Sequence, residues 1–376
     1  HEVFMKNTDM ILDHLKEYTI DEQIYRRYYE LRFDPAAQAN YVSHLDPKLI
    51  RSRNILIPDF PGVYFPQEIE EDALPIESRN SMSAKPGDVP LSLSQLSLFS
   101  DSASIYLNKH YRYTPALEHS HTYFEIIYML SGSCKQTLDK EDLPLHAGDI
   151  CFIPPKRKHT LEIFDDSIAI NLMLRRKTFE HVFFNVLSLS SVLTSFFMSS
   201  LYSRHPMKRI VFSTGDDSDI RDSVLEMYLE SQSQDKYSAF LLENMVPVFF
   251  AQVLRKYSRS ASIIHERNQS NNEHAMALLA YINQNFRQIS LQELADHFHY
   301  STSHCSRLIK EETGRNFSSI LRATRIDRAC GLLSSTGQSI ARISEEVGYE
   351  NPETFIRAFQ RQMKMNPTAY RKSMSK

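Results

Sequence analysis

The chain has 376 residues, 42% of them apolar and 24% charged, an ordinary globular composition that excludes a disordered or fibrous protein and allows two or three domains. Its formal net charge of −3 conceals an asymmetry: residues 274–376 carry 14 Lys and Arg against 9 Asp and Glu, whereas residues 1–273 carry 29 against 37. A basic end on an acidic body points to a nucleic-acid-binding module joined to something else.

Residues 1–100 match no motif and form an extension of unknown role. Within it, 5–32 has helical spacing through Ile11, Leu15 and Tyr18, and 33–100 reads as irregular chain rich in proline and serine, with a strand near Ile55–Ile57. From about Ser104 the pattern changes to short runs of β-branched and aromatic residues: SIYLNKHYRY, YFEIIYML, CKQTL, DICFIP, HTLEIF and IAINLML. Six or more closely spaced strands predict a small antiparallel barrel or sandwich.

After Arg175 the period becomes helical. Val182–Ser203 is uncharged but holds seven serines, so it reads as a buried amphipathic helix rather than a membrane span. Leu242, Met245, Val246, Phe249, Phe250, Val253 and Leu254 form one apolar stripe, open to two readings: core, or the interface of a homodimer. Pro247 is expected to kink that helix. Residues 259–273 are polar, the best linker candidate, and separate 101–258 from 274–376. Cys134, Cys151, Cys305 and Cys330 are too few and too scattered for a disulfide framework or a zinc knuckle, which indicates a reduced, cytoplasmic protein.

The last hundred residues repeat themselves. ISLQELADHFHYSTSHCSRLIKEETG (289–314) and SIARISEEVGYENPETFIRAFQRQMK (339–364) each read as helix, turn, helix. Ala295 and Ser344 let two helices cross closely. Gly348 suits a left-handed turn, and His299 stands in the equivalent place. Ser301 or Thr302, and Asn351, can cap the second helix of each unit. Between the units, 317–335 forms an amphipathic rod with Ile320, Leu321, Ile326, Leu332 and Leu333 on its candidate buried side. At 1.5 Å per residue the rod is about 25–28 Å long. That length could hold two recognition helices in successive major-groove segments, about 34 Å apart.

These units, the RIDRACGLL helix and the ending NPTAYR resemble the DNA-binding domain of AraC/XylS transcription regulators over about 274–373. The resemblance rests on spaced positions that include Leu294-Ala295, Thr313-Gly314, Phe317, Arg325, Ala329, Val347-Gly348-Tyr349, Phe355, Phe359, Pro367 and Tyr370-Arg371. Lys364 stands where that family usually has glycine, and Gln360 where it usually has lysine. The resemblance implies recognition helices that start near Ser301 and Asn351. Thr302, Ser303, Ser306 and Arg307 would face bases in the first, and Pro352, Glu353 and Arg357 in the second. Arginine can donate to guanine O6 and N7, and glutamate can accept from cytosine N4. Lys310, Arg315, Arg361 and Arg371 are the candidates for phosphate contact, which positions a protein without reading sequence. Cys305 falls on an inward position and reads as a small core residue.

In the strand-rich part, His119-x-His121-x3-Glu125-x6-Gly132 is followed by Gly148-x5-Pro154-x4-His159. Alternate residues of a strand share a face, which would put His119, His121 and Glu125 together. The pair resembles the two cupin motifs, in which three histidines and a glutamate converge inside a small barrel. Tyr113 and Lys156 stand where those motifs have glycine, and Ile163 where asparagine is common. Three readings stay open for these residues: a divalent transition metal, contact with an organic effector, or a purely structural role. Many AraC-type regulators carry such residues in a sensor barrel that binds a small organic effector.

The expectation is therefore an α+β multidomain protein: a helical and irregular N-terminal extension, a cupin-like β-barrel with following helices, and an all-α C-terminal domain with two helix-turn-helix units. It would be a transcription regulator, by preference an activator, controlled by a sugar or related metabolite, and not an enzyme. Its partners would be promoter DNA, the effector, a second copy of the chain and, for an activator, RNA polymerase, with no membrane involved. The alternative is a cupin metalloprotein, a metal or redox sensor or a metalloenzyme, with a DNA-binding tail.

Overall fold

The computed structural model describes residues 10–53, 55–58, 60, 68–69, 104–176, 178–179, 196, 199–200, 203, 209–233, 235–264 and 270–374. The chain divides into two compact units, His1–Phe179 with Lys208–Ile263, and Glu180–Met207 with Ile264–Lys376.

All six strand-like runs of the first unit form strands: β2 (Ile105–Lys109), β4 (Phe124–Ser131), β5 (Ser133–Leu138), β7 (Asp149–Ile153), β8 (His159–Glu162) and β9 (Ile168–Leu174). Five more complete the sheets: β1 (Glu68–Ile69), β3 (Ser120–His121), β6 (Glu141–His146), β10 (Arg209–Ser213) and β11 (Ser262–Ile264). They build a six-stranded sheet in the order β11-β10-β7-β4-β9-β2, a three-stranded sheet β6-β5-β8, and a two-stranded pair β1-β3. Strands β7 and β9 are buried along their whole length, as expected of strands covered on both faces. On one face, Ile127, Met129, Cys151, Ile153 and Ala169 pack against Cys134, Leu138, Leu145 and Leu161 from the smaller sheet. On the other, Phe152 meets Phe212 and Phe250, with ring centroids 5.9 and 5.2 Å away.

The helical reading after Arg175 is interrupted by β10, which pairs antiparallel with β7. Its sequence, RIVFS, is β-branched and aromatic, and its partner lies some sixty residues earlier, so only the tertiary pairing reveals it. Val182–Ser203 lies almost wholly outside the described residues. Among those that are described, no helix is long and apolar enough to cross a membrane. Two helices follow, α4 (Ser218–Ser233) and α5 (Ser238–Tyr257), and α5 runs through Pro247. Of the expected apolar stripe, Leu242, Val246, Phe249, Phe250, Val253 and Leu254 are buried and Met245 is half-buried. That stripe is core. The outward face of α5 is apolar as well: Tyr237 just before it, then Phe240, Leu241 and Val248, are exposed.

The extension is more helical than its proline content implied. Residues 10–16 are helical, and α1 (Ile20–Glu30), α2 (Pro35–Ser43) and α3 (Pro47–Ser52) follow. Asp34-Pro35 and Asp46-Pro47 each supply a capping carboxylate and a first-turn proline, which start helices rather than break them. Tyr18 falls in the gap between helices. Ile55 and Ile57 form no strand; they are buried in coil, packed with Ile24, Tyr25, Val42, Ile50 and Phe60.

The second unit is a run of helices: α6 (Ser270–Gln284), α7 (Leu291–His297), α8 (Thr302–Thr313), α9 (Phe317–Ser335), α10 (Ile340–Glu346), α11 (Pro352–Met363) and α12 (Pro367–Met374). Ile320, Ala323, Ile326, Ala329 and Leu333 are buried on α9, while Leu321 and Leu332 are only half-buried. Ile320, Ile326 and Leu333 are thus buried as expected, and the small Ala323 and Ala329 complete the line in place of Leu321 and Leu332.

Candidate functional site

The two helix-turn-helix units correspond in their caps and turns. Ser290 and Ser339 cap α7 and α10, and Ser301 and Asn351 cap α8 and α11. His299 (φ 55°) and Gly348 (φ 87°) hold the equivalent left-handed turn position. A side chain at Gly348 would meet the Arg287 carbonyl oxygen at 2.2 Å, so the second turn requires glycine. The C-caps match too: Gly314 (φ 71°) ends α8, and Lys364 (φ 58°) ends α11 in the same conformation. Lys364 thus keeps the backbone of the glycine it replaces.

Cys305, Leu308 and Ile309 on α8, and Phe355 and Phe359 on α11, are buried. This inward packing turns Ser303, Arg307, Lys310 and Arg315 outward around the first unit, and Pro352, Glu353, Arg357 and Arg361 around the second, all exposed; Thr302 and Ser306 are half-buried. Arg307 and Arg357 occupy the same position of their helices. Among the described residues each makes one intrahelical contact, Arg307 Nη2 donating to His304 Nδ1 at 3.0 Å and Arg357 Nη2 to Glu353 Oε2 at 3.5 Å. Arg371 is different. Its Nη2 donates to the Gln338 carbonyl at 2.6 Å and its Nε to the Leu333 carbonyl at 3.4 Å, so it braces the end of α9 instead of standing free for a phosphate. Arg325 does similar work on the carbonyls of Phe286 and Arg287, both at 2.8 Å.

In the barrel, His121, Glu125 and His159 offer ligand atoms within 4.8 Å of one another. They do not share one strand as the alternation implied: His121 ends β3, a bend follows, and Glu125 lies on β4. His159 enters from β8 of the other sheet. Nε2 of His121 and of His159 lie 3.2 and 3.1 Å from the same Glu125 oxygen, Oε2. His119 stands at the margin, its ring 4.4 Å from that of His159 and 6.3 Å from that of His121.

The Nδ1 atoms of His119, His121 and His159 each meet a backbone carbonyl, those of Leu117, Tyr123 and Arg157, at 3.0, 2.8 and 3.0 Å. A carbonyl only accepts, so each Nδ1 carries the proton and each Nε2 presents a lone pair when the ring is neutral. Burial pushes His119 down to about 3 and keeps it neutral. Burial lowers His121 as well. Burial also works against a charged His159 and a charged Glu125, but their mutual contact outweighs it, raising His159 and holding Glu125 well below the carboxylate range. A neutral His121 then turns a lone pair towards a carboxylate oxygen, an arrangement that calls for a cation or a proton between them.

Sequence reasoning missed two residues here. His110 is driven by burial down to about 4 and lies within the fields of Glu125 and His159; its isolated position in the sequence gives no signal. Glu22 of α1 is fully buried and accepts from Lys109 Nζ at 2.9 Å and from Arg112 Nε at 2.9 Å and Nη2 at 3.1 Å. These contacts tie the extension to the loop that runs from β2 through His110 and Arg112 to His119. The capping-box pattern Thr19-x-x-Glu22 was readable, but not the second use of its glutamate.

A family model described as a helix-turn-helix domain matches residues 294–373, across both of the units described above. Residues 294–373 are thus an AraC-type helix-turn-helix domain, the kind that AraC/XylS transcription regulators carry. A second model, described as a cupin domain, matches residues 110–173, the stretch that holds His110, His119, His121, His159 and Glu125. The chain is similar to the transcriptional activator RhaR of Mannheimia succiniciproducens, 23% identical over 283 residues that cover 75% of this chain and 96% of that protein. It is likewise similar to the activator RhaS of an Enterobacter strain, 24% identical over 255 residues, 68% of this chain and 87% of that protein. Among solved structures, the C-terminal domain of AraT, a response regulator from Geobacillus stearothermophilus, is 32% identical, covering 29% of this chain and 88% of that one with a TM-score of 0.27.

Proposed function

We propose that this regulator reads promoter DNA with α8 and α11, activates transcription, and is controlled by a small molecule held in the barrel. The observation that carries the reading is the duplicated recognition surface: Arg307 and Arg357 stand exposed at equivalent positions beyond equivalent N-caps. Thr302, Ser303, Ser306 and Arg307 read one half-site, and Pro352, Glu353 and Arg357 the other, while Lys310, Arg315 and Arg361 hold phosphates. Binding of the full chain to a promoter library, selected and sequenced, tests this directly. Two short conserved half-sites in the selected pool support it, and a pool indistinguishable from random DNA rejects it. RNA polymerase would be the further partner of the activated complex.

The His–Glu cluster favours a divalent transition metal as part of the barrel site. Three imidazoles with carbonyl-fixed Nδ1 protons and a low-lying carboxylate are the donor set such an ion needs. His121, His159 and Glu125 would hold it, with His119 or the effector completing the shell, and its charge would polarise an effector oxygen. Metal analysis of the purified protein and of His121→Ala checks this. An ion present at one per chain in the first and lost in the second is the expected result. Retention of metal by the variant, or none in either, assigns the cluster to direct effector contact.

A second copy of the chain is the proposed occupant of the exposed face of α5. Antiparallel packing of Phe240, Leu241 and Val248 on themselves sets Asp235, before each helix, beside Arg255, near the end of the other. Phe240→Glu should convert a dimer to monomers in sedimentation; an unchanged mass would place the interface elsewhere.

A further inference from the structure

The inner face of the six-stranded sheet carries polar atoms that the protein leaves without partners. Directly paired residues on neighbouring strands share a face. Val211, Cys151, Ile127 and Asn171 form one such row across β10, β7, β4 and β9, and Asn108 of β2 pairs with Asn171. Val211, Cys151 and Ile127 belong to the core between the sheets, so the row faces inward. Arg209 lies two residues before Val211 on β10 and shares its face. One step along from the Ile210–Phe152 pair brings Arg209 beside Ile153, which pairs on its other side with Glu125. Gln136 meets the row from the smaller sheet, where the Cys151 thiol donates to its Oε1 at 3.2 Å. Burial pushes that thiol up and keeps it protonated, so the amide oxygen is satisfied and the amide NH2 is left over.

Among the described residues, Arg209 Nε and Nη1, Gln136 Nε2, and the Oδ1 atoms of Asn171 and Asn108 are buried and have no hydrogen-bond partner. Arg209 is 3% exposed, Gln136 0% and Asn171 7%. A guanidinium buried without a counter-charge is among the costliest groups a core can hold. Such a group calls for a partner that arrives from outside. The unpaired donors, on Arg209 and Gln136, gather around Cys151, and the unpaired acceptors lie on the far strands of the same face.

We propose that the barrel effector is a small hydroxylated anion, a sugar acid or sugar phosphate, whose anionic group is received by Arg209 and Gln136 and whose hydroxyls donate to Asn171 and Asn108. This rests on the reading that the barrel holds the effector, and it names the chemical class. Arg209 and Glu125 lie two strands apart, about 10 Å at the usual strand spacing. Among the described residues the two side chains make no ion pair with each other, and their spacing suits one small molecule that reaches both. Neutral sugars lack the group that a desolvated guanidinium selects, because they leave its charge uncompensated.

The test is thermal melting of the full chain at constant ionic strength with a panel of uronic and aldonic acids, hexose phosphates, and the neutral sugars and polyols of the same skeletons. At least one anion should raise Tm by several degrees while its neutral counterpart does not, as expected of a ligand that binds only the folded state. The carboxylate and phosphate arms tell the two sources apart. Arg209→Met should abolish the shift, and Gln136→Leu should weaken the apparent affinity about tenfold, the loss expected for one hydrogen bond to a charged group. Without ligand, Arg209→Met should melt at or above the wild type, since an unpaired buried charge has been removed. A neutral sugar that acts equally on wild type and Arg209→Met overturns the anion site, as does a panel with no active anion. So does an Arg209→Met protein that melts well below wild type, because Arg209 would then have a structural partner. DNA affinity measured with the same ligands separates the two readings. A neutral ligand that changes it leaves effector control standing without the anion site, whereas stabilising ligands that never change it reject effector control itself.

Discussion

The DNA-binding unit and the barrel place their polar groups on opposite sides of the fold. In the second unit, Cys305, Leu308, Ile309, Phe355 and Phe359 go inside and the arginines go out. In the first, Glu125, His121, His159, Gln136 and Arg209 are themselves interior. A surface recognition helix can change its reading residues with little effect on folding. A barrel that recognises its ligand from within cannot, because each polar group there is also part of the core. Stability and recognition should separate in one unit and merge in the other.

The largest effect should come from the buried charge that ties the extension to the barrel. Glu22→Gln leaves Lys109 and Arg112 without their carboxylate, and loss of one partner of a buried ion pair costs about 3–5 kcal/mol. Urea unfolding measures it, and a loss below about 1 kcal/mol would show a solvated contact. Burial works to raise Glu22, but the hydrogen bonds from Arg112, the Thr19 backbone and Lys109 outweigh it and hold the group below its ordinary value of 4.5. Its contribution is therefore complete above that value and disappears as pH falls through the lower, folded one. The Gln variant should lack this part of the acid transition.

On the surface of the second unit the effects should fall on recognition alone. Arg307→Ala and Arg357→Ala should each cost about 1–3 kcal/mol at one base position, in different half-sites, with Tm unchanged. Lys310→Ala should weaken binding to all sequences alike and reduce the salt slope by about one. Titrations against variant operators at several salt concentrations distinguish the two classes. Equal, sequence-independent losses for all three would mean that the recognition faces are misplaced.

The smallest effect concerns turns. Lys364 and Lys156 are exposed and left-handed, with φ of 58° and 66°. Lys364→Gly and Lys156→Gly should each stabilise by about 0.5–1 kcal/mol, the steric relief being partly offset by chain entropy. Thermal melting reads the difference, and a loss of stability would show that the lysine side chains make contacts worth more than the strain.

Those turns also show how far the sequence could be read. Tyr113, Lys156 and Lys364 all stand where the related motifs have glycine, and all three keep positive φ, at 63°, 66° and 58°. The motif's backbone outlasted the residue that usually permits it, so the departures altered local strain and left the geometry in place. The helical tail was legible down to its caps, because helix periodicity and capping act within a few residues. The extension was not, because Asp34-Pro35 and Asp46-Pro47 were weighed as prolines and not as N-termini. In the barrel, the residue types of the cluster were legible and its assembly was not: His121 and Glu125 meet across a bend, and His159 arrives from the opposite sheet.

By itself the sequence determined the duplicated recognition helices, the rod between them, and the presence of six of the strands, since each follows from local spacing of apolar residues. It also determined which side chains could ligate or titrate. Tertiary structure decided which of them meet. It brought β10 back to β7 and thereby carried Arg209 into the barrel. It assigned the stripe on α5 to the core and left the opposite apolar face exposed. It buried Glu22 between Lys109 and Arg112, about ninety residues away. Strand pairing and side-chain burial are long-range, and a change of one residue in register reverses the face on which every side chain lies. No local pattern can therefore say which polar residues a barrel will close around.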